Sequence, residues 1–119
     1  MKVLVVDDSK FMRATIIKTL NQLGDHTVTQ AANGFEGLAC LNEDTFDLVM
    51  TDWNMPEMNG LEFVTALRRE HSVPVLMLTT VCIREEVIAA LKAGVNNYLM
   101  KPLDVAVLKE KLNLLFAKV

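Results

Sequence analysis

Two periods of hydrophobic and polar residues alternate along the chain. Residues 2–6, 46–50 and 74–79 are short apolar runs that read as strands buried on both faces. Proline is tolerated at the first residue of the run beginning at Pro74. Thr27–Ala31 alternates instead, as a strand with one wetter face does, and Asn97–Met100 is a short fifth strand. Between these runs the spacing turns helical. A first helix follows the cap chemistry of Asp7-Asp8-Ser9 and runs to about residue 23. Met12, Ile16, Leu20 and Leu23 form its stripe, and Gly24 is its stop. Asn33 and Glu36 form a loose capping box for a second helix, whose expected buried stripe is Phe35, Leu38 and Leu41. A third helix over 61–70 turns Leu61, Val64 and Leu67 inward, and a fourth over about 83–93 is stopped by Gly94. Asp104 caps a fifth, on which Val105, Leu108, Leu112 and Leu115 keep helical spacing.

Strand and helix thus alternate five times without interruption, which calls for a parallel sheet covered by helices on both faces. Right-handed crossovers leave few topologies. The expected fold is flavodoxin-like: a doubly wound (βα)5 sheet of order 2-1-3-4-5, in one domain over residues 1–119. Composition narrows the function by exclusion. With 51% hydrophobic and 23% charged residues the chain is globular, and a net charge of −3 argues against direct nucleic-acid binding. No stretch approaches the roughly 20 apolar residues that span a bilayer. The apolar run at the start is too short for a signal peptide and is cut off by Asp7 and Asp8, so the expected location is the cytoplasm. Cys40 and Cys82 lack metal-ligand or redox spacing and read as small, partly buried thiols, while His26 and His71 flank turns.

The chemistry gathers at Thr51-Asp52-Trp53-Asn54-Met55-Pro56. Asp52 stands where the third strand ends, on the sheet edge where ligands bind in open α/β folds. In the order 2-1-3-4-5, Asp7 and Asp8 face it across the switch point between strands one and three. Three carboxylates so close repel, raising at least one pKa unless a cation neutralises them. Every candidate ligand is an oxygen, which selects a hard ion and favours Mg²⁺. Strand four delivers the Thr79 hydroxyl to the same edge. Strand five, about 10 Å from strand three at roughly 4.8 Å per strand, delivers Lys101, whose side chain spans most of that gap. Acids, metal, hydroxyl and ammonium around one aspartate suit phosphoryl transfer, which depends on positioning and charge stabilisation.

Asp7-Asp8, Asp52, Thr79 and Lys101-Pro102 together resemble the response-regulator receiver domain family. The stretch from Asp52 to Pro56, with Asn59-Gly60-Leu61-Glu62-Phe63, is most similar to its chemotaxis members, and the resemblance spans the whole chain. It implies that Asp52 is the phosphoacceptor. Asp7, Asp8, Asp52 and the backbone carbonyl of Asn54 would hold Mg²⁺, and Thr79 and Lys101 would bond phosphoryl oxygens. It implies a cis Lys101–Pro102 peptide and an inward switch of Tyr98 as Thr79 is drawn to the phosphoryl group. The donor would be a histidine kinase, a histidine phosphotransfer protein or a small phosphodonor. The output surface would be the fourth helix, fifth strand and fifth helix, read by a downstream protein. A monomer or weak dimer is expected, with no membrane insertion. Val81 stands where the chemotaxis regulator carries glutamate, and Thr80 replaces a smaller alanine. These changes are expected to alter phosphoryl lifetime, which Val81→Glu and Thr80→Ala variants would measure.

Three other functions compete. A haloacid-dehalogenase-type phosphatase needs a second aspartate two residues after the nucleophile, and Asn54 there cannot transfer a proton. A flavodoxin-like cofactor module needs a phosphate-cradling loop after strand one, where Asp7 and Asp8 would repel it. A scaffold-only receiver lacks an acceptor, acid or lysine, and all are present here. The expectation is therefore a phosphorylated regulator, not a turnover enzyme beyond its own phosphorylation and slow dephosphorylation. It stands alone in chemotaxis-like signalling, or else forms the receiver part of a longer regulator or a phosphorelay shuttle.

Overall fold

The strand–helix alternation holds throughout the computed structural model, which describes residues 1–80 and 83–116. In chain order the elements are β1 (Lys2–Val6), α1 (Lys10–Asn21), β2 (Thr27–Ala31), α2 (Gly34–Glu43) and β3 (Leu48–Asp52). There follow α3 (Gly60–Leu67), β4 (Val75–Thr79), α4 (Arg84–Ala93), β5 (Asn97–Met100) and α5 (Val105–Phe116). Val81 and Cys82, and with them the expectations placed on those side chains, lie outside the described residues. All strand pairs are parallel and the order is β2-β1-β3-β4-β5, the expected doubly wound flavodoxin-like sheet.

Side chains alternate across each strand, so one sheet builds two cores. Val3, Val5, Leu48, Met50, Leu76, Leu78 and Leu99 pack against Ile16 and Leu20 of α1 and Leu108 and Leu112 of α5. Leu4, Val6, Val49, Val75 and Met77 face the other way, toward Leu41 of α2, Phe63, Val64 and Leu67 of α3, and Ala90 of α4. β1, β3 and β4 are apolar on both sides because both sides are covered.

Helix boundaries follow cap chemistry. Ser9 accepts from the Met12 N–H to start α1, and Asn33 accepts from Glu36 to start α2. Asn59 and Glu62 form a complete capping box that starts α3 at Gly60. Gly94, in the left-handed region at φ 113°, ends α4. Two expected stripes hold except at their first residue. Phe35 is 55% exposed; Leu41 is buried and Leu38 partly so, as expected, and Gly34 and Gly37 take the inward place expected of Phe35. Phe63 occupies that space: a Cβ on Gly37 would lie 2.9 Å from its ring. In α3, likewise, Phe63 is fully buried while Leu61 is only partly covered.

Candidate functional site

The strand register carries the chemistry to one edge. Val6 pairs with Thr51, so Asp7 and Asp52 follow side by side; Thr79 pairs with Met100, so Lys101 comes next to it. The ladder continues past the strand ends. Asp7 N–H donates to Ala31 O at 3.1 Å, Trp53 N–H to Leu78 O at 3.0 Å, and Lys101 N–H to Thr79 O at 2.8 Å. Gly60 closes the β3–α3 loop by donating to Trp53 O at 2.7 Å. A Cβ at Gly60 would fall 2.3 Å from the Asp52 carbonyl oxygen, so only glycine fits there.

Asp7 and Asp52 are buried, Asp8 is exposed, and one carboxylate oxygen from each lies within 4.8 Å of the others. Lys101 reaches across from the end of β5. Its Nζ lies 3.0 Å from Asp52 Oδ1 and 3.4 Å from Asp7 Oδ2. Asp7 Oδ1 also accepts the Ser9 N–H at 2.9 Å. Burial, the largest influence, pushes the Asp7 carboxyl above its ordinary range, and the Asp52 charge adds to it. The Ser9 N–H and Lys101 pull the other way. One lysine thus serves two of the three acids, and Asp8 is left to solvent. An oxygen-only donor set with two buried members and one open side fits Mg²⁺, which keeps several waters.

Asn54 follows in the exposed start of the β3–α3 loop, and the Lys101–Pro102 peptide is cis. Thr79 is buried at the end of β4. Tyr98 is half-buried, pairs in register with Met77, and carries Lys111 Nζ 5.1 Å from its ring centroid. Thr79 and Tyr98 line one apolar cleft beneath α4, together with Trp53, Met77, Val87 and Ala90.

Arg13 is the site residue that sequence reasoning missed. From α1 its Nη1 donates to the Asp7 carbonyl at 2.6 Å, and its Nε donates to Gln30 Oε1 on β2 at 3.0 Å. The available signal was a cation near a helix N-terminus, where the macrodipole disfavours one.

A family model described as the response regulator receiver domain matches residues 3–113. The chain belongs to that family. Among its receiver-domain relatives, a CheY homolog, described as a chemotaxis protein, from Campylobacter jejuni is 53% identical over 94% of this chain and 89% of its own length. Chemotaxis protein CheY1 of Helicobacter pylori is 51% identical, covering 94% of each chain. The structure of Vibrio cholerae chemotaxis protein CheY4 superposes with a TM-score of 0.86 at 39% identity, covering 94% of this chain and 95% of that one. As a CheY-type receiver domain the protein serves two-component signalling and is not a classical enzyme. Among the described residues, no helix is long and apolar enough to cross a membrane.

Proposed function

We propose that Asp52 is the phosphoacceptor. The observation that carries this reading is Lys101 Nζ at 3.0 Å from Asp52 Oδ1, inside a cluster whose carboxylate oxygens lie within 4.8 Å. An Asp52 oxygen attacks phosphorus while the phosphorus–nitrogen bond of a phosphohistidine breaks, its electron pair going to the imidazole. The donor is a histidine kinase, a histidine phosphotransfer protein or a small acyl phosphate. Asp7, Asp8, Asp52 and the Asn54 carbonyl hold Mg²⁺, which when bound offsets the negative charge on carboxylates and phosphoryl oxygens. Lys101 turns from Asp52 and Asp7 to one phosphoryl oxygen, and the Thr79 hydroxyl donates to another. Asn54, two residues after Asp52, carries a carboxamide that is neither general acid nor general base, so the acyl phosphate persists as a mark and hydrolyses slowly.

The new charge, about −1.5 to −2, sits beside Thr79. Drawing Thr79 toward it opens the cleft under α4 that Tyr98 also lines, and Tyr98 turns inward. The changed surface is that of α4, β5 and α5, where Ile88, Leu91, Met100 and Val107 are exposed apolar side chains suited to a protein target. The identities to CheY proteins support a chemotaxis-like cytoplasmic messenger. The residue set serves a longer regulator or a phosphorelay shuttle equally well.

Acetyl phosphate with Mg²⁺ tests the reading. The expected result is added mass of one phosphoryl group and a change in Trp53 emission, both absent in Asp52→Asn. A phosphoryl group that still appears on Asp52→Asn, or never on the wild type, overturns it.

A further inference from the structure

We propose that Arg13 is a positioning residue that sets the Asp8 arm of the metal site, an inference that rests on the phosphoacceptor reading above. Asp7 is fastened at every polar group it has. Its N–H goes to Ala31 O, Oδ1 accepts from Ser9, and Oδ2 faces Lys101. Its carbonyl accepts from Arg13 Nη1 at 2.6 Å. That last bond differs in kind. The Asp7 carbonyl belongs to the peptide plane whose nitrogen is Asp8's, and a planar peptide transmits orientation from one end to the other. Asp8 is exposed, and among the described residues its carboxylate has no hydrogen-bond partner. Holding the Asp7 oxygen therefore holds the backbone from which the Asp8 carboxylate projects.

Arg13 is itself held. Gln30 Oε1, on β2, accepts from its Nε at 3.0 Å, and the planar guanidinium fixes the angle between the two bonds. The charge is placed against local preference. α1 has no acid in its first turn, and Arg13 follows Ser9, the N-cap, by four residues, where a cation meets the positive end of the helix dipole. The two directed bonds account for a cation in that place.

Two roles for Arg13 predict opposite signs. As a bare positive charge near a cation site, it would weaken metal binding, and removing it would tighten binding. As a positioning group, it strengthens binding, and removing it loosens one ligand arm. Mg²⁺ demands near-ideal octahedral geometry while Ca²⁺ tolerates irregular ligation, so a loosened arm also lowers the preference for Mg²⁺ over Ca²⁺.

The test is titration of MgCl₂ and CaCl₂ at constant ionic strength into wild type, Arg13→Met, Arg13→Lys and Gln30→Leu, following Trp53 emission well below each Tm. Arg13→Met is expected to raise the Mg²⁺ Kd about tenfold or more, the usual effect of losing an outer partner of a metal ligand, and to raise the Ca²⁺ Kd less. Arg13→Lys keeps the charge but not the planar fork, and is expected to weaken Mg²⁺ binding as well. Gln30→Leu is expected to give a smaller loss, and it keeps the question answerable if Arg13 variants fold poorly. An Mg²⁺ Kd that is unchanged or lower in Arg13→Met, or in Gln30→Leu if Arg13→Met is unfolded, overturns the inference. So does an equal shift for both ions. A wild type that binds Mg²⁺ while the variants match it leaves the phosphoacceptor reading standing and removes this inference alone. A wild type that does not respond to Mg²⁺ removes both.

Discussion

At Asp7, burial and the neighbouring Asp52 charge push the carboxyl in one direction. Its folded value lies above the ordinary 3.8, so the folded chain binds the proton more tightly than the unfolded chain does. Asp7's contribution to stability is therefore complete below 3.8 and is lost as pH rises through the raised value. In a chelator at neutral pH, Asp7→Asn should raise Tm by a few degrees and flatten that decline. Calorimetry across pH reads both, and a lower Tm would mean that the Ser9 and Lys101 bonds outweigh the buried charge. Asp7, Asp52, Thr79 and Lys101 were legible in the sequence because each lies at or just past the end of an apolar strand. Glu57 was not. Its φ of 70° with a Met58 N–H to Pro56 O bond of 2.8 Å makes a tight γ-turn at a residue type that carries no signal for positive φ. Glu57→Gly should relieve about 1 kcal/mol, after the entropy glycine costs, and urea unfolding would measure it.

Among the helices, α4 is fastened unevenly. Ile83 caps it without a side-chain bond, and Ala90 is its one buried residue. Its far end is held from outside. Arg68, just past α3, donates to Gly94 O at 2.7 and 3.0 Å, to Val73 O at 2.7 Å and to Asn96 Oδ1 at 3.0 Å. Asn96 Oδ1 in turn accepts the Val75 N–H, which ties the clamp to β4. Burial holds the guanidinium below its ordinary value, but an arginine still carries its charge there. Arg68→Met leaves carbonyls without donors and should cost about 2–3 kcal/mol. Amide exchange should rise most at residues 94–96, whereas uniform loss of protection would deny a local clamp. Helical spacing revealed where α4 lies and Gly94 revealed where it stops, but not this fastening. A long side chain that bonds a backbone carbonyl 26 residues away leaves no periodic trace. The same limit explains α2, where spacing alone assigned Phe35 inward and the distant ring of Phe63 had already filled the space.

Across the whole molecule, the strand–helix alternation called for parallel strands and the crossover rule left few orders, of which 2-1-3-4-5 is a common one, so the edge carrying the acids was legible before any side chain was placed. What could not be read was the balance of charge at that edge, because it depends on burial and on ångström distances. Lys101 is shared between Asp52 and Asp7, and Asp8 adds a third acid, so the fold is assembled around unbalanced negative charge. A divalent cation that binds only the folded form must stabilise it. At a hundred times its Kd, Mg²⁺ should add about 2.7 kcal/mol, a Tm rise of several degrees for a domain of this size. Protons compete for the same oxygens. Because the Asp7 carboxyl is raised, the Mg²⁺-dependent rise should fade at a higher pH than an ordinary aspartate near 3.8 would allow. Paired melts in MgCl₂ and in EDTA, from neutral to acid pH, would trace that loss. KCl at matched ionic strength is the control, since general screening would reproduce the shift and a built site would not.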